Sequence, residues 1–178
     1  MHAASDTVTD AQRDRFRTVV GHFATGVAVI TGADADGPVG MTANAVCSLS
    51  LEPLLLLVCF DNAARTLPVV RATGRFGVNV LGRDQHRLAK LFASKRHERR
   101  KFDAVEHELH AGVPVIADAL AWMVCELTEC HAGGDHTIGI GAVVAMAHRA
   151  GESEPLVWYR GRYTTVSHRP SRAAPWLL

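Results

Sequence analysis

Two long stretches with strand character, Trp122 to Cys130 and Ile138 to His148, lie so close together that the polar segment His131 to His136 must connect them as a hairpin. In the second stretch Ile138, Ile140, Ala142, Val144 and Met146 alternate with smaller residues, the two-residue period of a strand whose faces differ. Further strand signals come at short intervals. Val27, Val29 and Ile30 mark a strand over Gly26 to Thr31, Asp34 to Pro38 supplies a turn, and a partner strand follows from Val39. Leu54 to Phe60 is apolar at consecutive positions, as in a central strand buried on both sides. Phe76, Val78 and Val80 share one face of a strand ending at Gly82, and Leu156 to Tyr159 and Tyr163 to Val166 close the series.

Helical spacing is sparser. Thr9 and Gln12 form a capping-box pattern ahead of Phe16, Val19, Val20 and Phe23. Asn62 to Ala72 reads as a short helix ended near Gly74. Asp84 can cap a third helix that carries Leu88, Leu91 and Phe92 and runs on into the basic residues Lys95 to Lys101. A loop is expected around Gly112 and Pro114. Many short strands with only two or three helices favour a mainly β, closed or partly closed antiparallel barrel over a doubly wound α/β fold.

The 178 residues suit one domain, with 1–9 and 168–178 as terminal arms. A net charge of +1 gives no global field for nucleic acid or anionic lipid, so any anion must be held locally. The longest apolar run, Leu54 to Phe60, is a strand's length and not a membrane span, and the polar N-terminus is unlike a signal peptide, so the protein is expected to be cytoplasmic. Cys47, Cys59, Cys125 and Cys130 lack zinc or disulfide spacing and are expected to be buried thiols.

No GxGxxG follows the first strand, and GxxxxGK[ST], HExxH and GxSxG do not occur, which removes the common dinucleotide, nucleotide, metalloprotease and hydrolase motifs. What remains is an ordered series. It runs Phe23-Ala24-Thr25-Gly26-Val27, Met41-Thr42-Ala43-Asn44, Ser48-Leu49-Ser50-Leu51-Glu52-Pro53-Leu54, Arg65-Thr66, Phe76-Gly77-Val78-Asn79-Val80-Leu81, Gly134-Asp135-His136-Thr137, Pro155-Leu156 and Gly161-Arg162-Tyr163. This order, from about Phe16 to Val166, resembles the flavin reductase family of FMN-binding split barrels, the reductase components of two-component monooxygenases.

The resemblance implies an antiparallel split β-barrel with flanking helices, a homodimer, and hydride transfer from NADH or NADPH to FMN or FAD, with the reduced flavin supplied to a partner monooxygenase. It implies that Thr42 to Ser50 runs along the flavin ring edge, with Thr42, Asn44 and Ser48 as polar contacts and Thr25, Ala43 and Ala45 beside them. Where the family usually has two serines this chain has Asn44 and Ala45. Asn62, Arg65 and Thr66, with Asp61, are implied at the phosphate, where the family's Ser-x-Thr stands as Ala64-Arg65-Thr66 and a guanidinium can grip phosphate oxygens. Asp135 and Tyr163 are further implied contacts. His136 is placed beside the nicotinamide, orienting the donor, because hydride transfer needs no protein base.

Each segment also has a plainer reading: strand and helix ends for the polar residues, an ordinary hairpin for Gly134 to Thr137, core packing for Trp158 and Tyr163, and a solvated face for Lys95 to Lys101. The basic run could instead steer anionic cofactors. A metal site at His131, Asp135 and His136 fits no standard spacing. A non-catalytic flavin carrier on the same barrel is the principal alternative function, and an oxidase of the pyridoxamine-phosphate type would call for a denser basic site.

Overall fold

The computed structural model of the chain describes residues 8–94, 98–151 and 154–166. The capping box forms: the Thr9 hydroxyl accepts from the Gln12 N–H and the Gln12 side chain accepts from the Thr9 N–H, opening helix α1 at Asp10–Val20. No residue of α1 is buried, and its stripe stays uncovered, with Phe16 67% and Phe23 just beyond it 72% exposed.

Strands β1 (Thr25–Gly26), β2 (Ala28–Asp34), β3 (Gly37–Ala43), β4 (Val46–Leu51) and β5 (Leu54–Asp61) come first. Helix α2 (Thr66–Thr73), strand β6 (Arg75–Val80) and helix α3 (His86–Ala93) follow, then β7 (His107–His110), β8 (Val113–Ile116), β9 (Ala121–Gly133), β10 (His136–His148), β11 (Val157–Tyr159) and β12 (Arg162–Thr164). Seven strands form one sheet in the order β3-β2-β6-β9-β10-β5-β4, every pairing antiparallel. Its outermost strands, β3 and β4, are separated in the chain only by Asn44 and Ala45. The sheet therefore curls until its two edges approach, while among the described residues β3 and β4 do not pair. That unpaired seam makes it a split barrel, flanked by the sheet β1-β11-β12, the hairpin β7-β8 and the helices.

The barrel interior explains the alternation in β10. Thr137, Gly139 and Gly141 point inward, whereas Ile138, Ile140 and Ala142 face out and stay half-buried. A Cβ on Gly139 would lie 2.8 Å from Phe60 Cε2, and one on Gly141 2.5 Å from Phe76 Cζ. The two rings fill this space edge to face, 5.8 Å between centroids, so the core takes its bulk from β5 and β6 and its hollows from β10.

Several expectations are corrected. Strand β5 is next to the edge, not central, and of its residues only Leu56, Val58 and Phe60 are buried, while Leu55, Leu57 and Cys59 on its outer face stay half-buried. The second helix starts at Thr66: the Asp61 carboxylate accepts from the Ala63 N–H and its carbonyl from the Ala64 N–H, which holds residues 61–64 as a turn. Gly74, at φ 68°, then ends it. Asp84 caps nothing; it sits in a 3-10 turn, Arg83–Gln85, where the Gln85 side chain accepts from the Gly82 N–H. Helix α3 stops at Ala93, where both the N–H and the hydroxyl of Ser94 bond the Leu91 carbonyl.

Gly112 and Pro114 belong to the hairpin β7-β8, and Val113 to Ile116 are buried. Lys95 to His97 and the arm at 168–178 lie outside the described residues. Lys101 is buried, 3% exposed, with Nζ donating to the Phe92 carbonyl at 3.2 Å and lying 3.5 Å from that of Gly40, so it is not a steering charge. Of the cysteines only Cys125 is buried, its thiol pushed up to about 12 by desolvation; burial also raises the half-buried Cys59, while Cys47 and Cys130 are exposed.

Candidate active site

The predicted residues collect along the barrel seam and the adjoining end of β5 and β10. Thr42 is the last but one residue of β3, with its hydroxyl donating to the Ala89 carbonyl of α3 at 2.7 Å, which leaves its oxygen only as an acceptor. Ala43 turns its methyl into the core and presents backbone alone. Asn44 is exposed in the seam, and its amide donates to the Thr25 hydroxyl at 3.1 Å. The Ala45 carbonyl accepts from the Cys59 N–H at 3.0 Å, and Ser48 is exposed on β4. Thr25 stands opposite Trp158, which stands opposite Tyr163, so a cross-strand row joins Tyr163 to the seam. The Tyr163 ring packs 4.9 Å from that of Trp158, and burial raises its hydroxyl above the ordinary tyrosine value.

From Cys59, which holds Ala45, to Asp61 is two residues of β5, about 7 Å. Asp61 is opposite His136 in the register of β5 and β10. β9 and β10 are joined by the two-residue turn Gly134-Asp135, shorter than the expected connection because the strands extend to Gly133 and His136. Gly134 has φ 70°, the positive value that the first central residue of a type II′ turn requires. The Asn62 N–H donates to the Asp135 carbonyl at 3.1 Å, and its side chain donates to the Gly134 carbonyl at 3.3 Å. The Thr137 hydroxyl donates to Asn62 Oδ1 at 2.7 Å and receives Arg71 Nη2 at 3.1 Å. The turn and the segment that begins at Asn62 are thus one bonded unit.

His136 Nδ1 lies 2.7 Å from Asp135 Oδ1, and His136 is 44% exposed at its side chain. The hydrogen bond and then the charge of His136 hold the Asp135 carboxyl below its ordinary range. An ionised carboxylate cannot donate, so Nδ1 carries the proton, and in the neutral ring Nε2 is left as an acceptor facing away from Asp135. Arg65, at the start of α2, is exposed, and the first turn of α2 has no acidic residue. Thr66 is fully buried and already partnered, so it does not reach a ligand, whereas Arg65 beside it is at the surface.

The sequence reading missed Thr137 and Arg71 as members of this unit. Arg71 gives no local signal, since an arginine on the exposed side of a short helix reads as solvated. A cleft of about 840 Å³ lies apart from all the predicted residues, lined by Gly82, Arg83, Gln85, Asp118, Arg149 and Glu154 among others. Arg83 there pairs with Glu154 at 2.7 Å. Among the described residues, no group of three or more His, Cys, Asp or Glu is arranged to hold a metal ion, and no helix is long and apolar enough to cross a membrane.

Residues 20–167 match the family model described as flavin reductase like domain. The chain is 37% identical over 163 residues to the flavin-dependent monooxygenase reductase subunit HsaB of Rhodococcus jostii, covering 91% of this chain and 82% of that one. It is 36% identical to an NADH-dependent flavin reductase of a Rhodococcus species, covering 90% and 89%. Among solved structures, it is similar to nitrilotriacetate monooxygenase component B from Mycobacterium thermoresistibile, with a TM-score of 0.86 at 33% identity over 96% of this chain and 97% of that one.

Proposed function

The chain belongs to the flavin reductase like domain family and is an NAD(P)H-dependent flavin reductase, and from that premise we propose that it reduces exchangeable FMN or FAD and delivers it to a partner monooxygenase. The overall change takes NAD(P)H, a proton and oxidised flavin to NAD(P)+ and reduced flavin. The observation that carries the residue-level reading is the pairing of two unlike places within about 7 Å along β5: an open seam edged by backbone, and a clamped turn presenting His136.

The seam fits a flavin. Among the described residues, edge strands β3 and β4 have a strand partner on one side only, and Thr42, Asn44, Ala45 and Ser48 line the open edge with small groups that can bond the polar rim of a ring while leaving its face open. The exposed Arg65 at the start of α2, with no acid in the first turn, suits a flavin phosphate; Asn62 and the turn built on Asp61 hold that segment in place. Bound flavin supplies the hydride acceptor. His136 Nε2 accepts from the nicotinamide carboxamide and orients the donor, and Asp135 keeps the imidazole in the required tautomer.

In this reading the chain is one cytoplasmic domain that forms a homodimer. Support for the dimer is the uncovered α1 together with the outer face of β5 and β10, where Leu55, Leu57, Ile138 and Ile140 stay half-buried and Met146 is 62% exposed. Sedimentation equilibrium should give twice the chain mass.

Anaerobic mixing of the purified protein with each of NADH and NADPH, and excess FMN or FAD, should bleach the flavin over many turnovers. Release to a partner is tested by adding the protein to a flavin-dependent monooxygenase with a dialysis membrane between them. Product formed across the membrane supports release, and its absence alongside flavin bleaching would overturn it.

A further inference from the structure

We propose that Thr137 and Arg71 are positioning residues for nicotinamide binding, a claim resting on the reading of His136 given above. The network has one direction. Arg71 has only donors, so where its Nη2 meets Thr137 Oγ1 at 3.1 Å the hydroxyl must be the acceptor. The hydroxyl proton is then directed to Asn62 Oδ1 at 2.7 Å, which sets the amide with Nδ2 toward the Gly134 carbonyl at 3.3 Å. A flipped Asn62 would take away the oxygen that accepts the Thr137 hydroxyl proton and set that oxygen against the Gly134 carbonyl, acceptor against acceptor. Arg71 thereby selects which way Asn62 points, from 66 residues away from Thr137 in the chain.

Thr137 is 4% exposed, so it is not presented to a ligand as His136 is, and Arg71, exposed on α2, is tied to it through Nη2. Their effect passes through the turn. Adjacent residues of β10 point to opposite faces: Thr137 anchors inward and His136 projects outward, so fixing the first fixes the backbone that aims the second. The Asn62 N–H to the Asp135 carbonyl adds a second restraint on the residue that holds His136 Nδ1. Helix α2 carries Arg65 at its start and Arg71 in its last turn, so one short rigid element touches both the phosphate segment and the nicotinamide turn.

The test compares Thr137→Val, Thr137→Ser and Arg71→Met with the parent, and with His136→Ala. Thr137→Val keeps the buried shape and removes only the hydroxyl. It should raise KM for reduced nicotinamide about tenfold, the worth of one buried hydrogen bond, with kcat and flavin Kd within about twofold. Thr137→Ser should restore the parent value, and Arg71→Met should shift KM the same way by a smaller factor. Combined with His136→Ala, Thr137→Val should add nothing further, whereas additive effects would overturn the proposal.

The His136 imidazole Cε1–H signal, assigned by its loss in His136→Ala, should shift or broaden in Thr137→Val and return in Thr137→Ser. An unchanged signal, or equal losses in flavin and nicotinamide affinity, would also overturn it. If His136→Ala leaves the nicotinamide KM unaltered, the reading of His136 fails, and the imidazole signal still decides whether Thr137 positions that ring.

Discussion

The two faces of the β5–β10 pair are built from the same strands and do opposite work. Inward, Leu56, Val58 and Phe60 meet Thr137, Gly139 and Gly141, and the glycines are spaces for aromatic rings. Outward, Leu55, Leu57 and Cys59 meet Ala142, Ile140 and Ile138, larger on average than what β10 turns inward, yet only half-buried. The inner face fixes geometry and the outer face is left to be used. At the end of the pair this division becomes chemistry, with Thr137 bonded inside the fold and His136 open outside it.

The strongest way to break the comparison is to fill the inner face. Gly141→Ala places a methyl against Phe76 and Cys125, and should cost about 3 kcal/mol by chemical denaturation, at the upper end for overpacking; Ile140→Ala should cost a single chain less than half of that. Equal losses would mean that the faces are not distinct. A charge on the outer face, Ile140→Asp, should instead weaken the proposed dimer about a hundredfold by sedimentation while leaving the fold intact by circular dichroism. An unaltered dimer would move the interface elsewhere.

At the open end, His136→Ala should raise the nicotinamide KM by the equivalent of roughly 1 to 3 kcal/mol, one lost hydrogen bond, while flavin binding survives. Reduced flavin affinity with an unmoved nicotinamide term would mean the role is misassigned. The smallest effect concerns Asp135. Its folded-state carboxyl lies below the ordinary value because of the hydrogen bond to His136 and then its charge. The pairing is therefore fully present above the unfolded value of about 3.9 and is lost as pH falls through the lowered one. Carboxyl carbon-13 titration should show that low midpoint in the parent and a return to the ordinary range in His136→Ala.

Much of this was legible locally. The Thr9–Gln12 cap depends on a three-residue spacing, the Gly134 turn on one positive φ, and the strand periods on side-chain alternation, so each is written in adjacent residues. The stop of α3 at Ser94 was missed because the basic residues beyond it are good helix formers, and the structure resolves the competition with two bonds to the Leu91 carbonyl. The burial of Lys101 had no local mark either, since lysine is ordinarily at the surface and only the approach of Phe92 and Gly40 gives its ammonium somewhere to go.

The sequence alone determined the barrel class and the ordered segments by which the chain resembles its family, because strand period, turn residues and motif order are properties of the linear chain. Only the tertiary structure decided that the glycines of β10 face in, that β3 and β4 become opposite edges of one sheet joined by Asn44 and Ala45, and that Asn62 meets Thr137 across 75 residues. Alternation says that two faces differ but not which is inside. That choice was made by where Phe60 and Phe76 needed room.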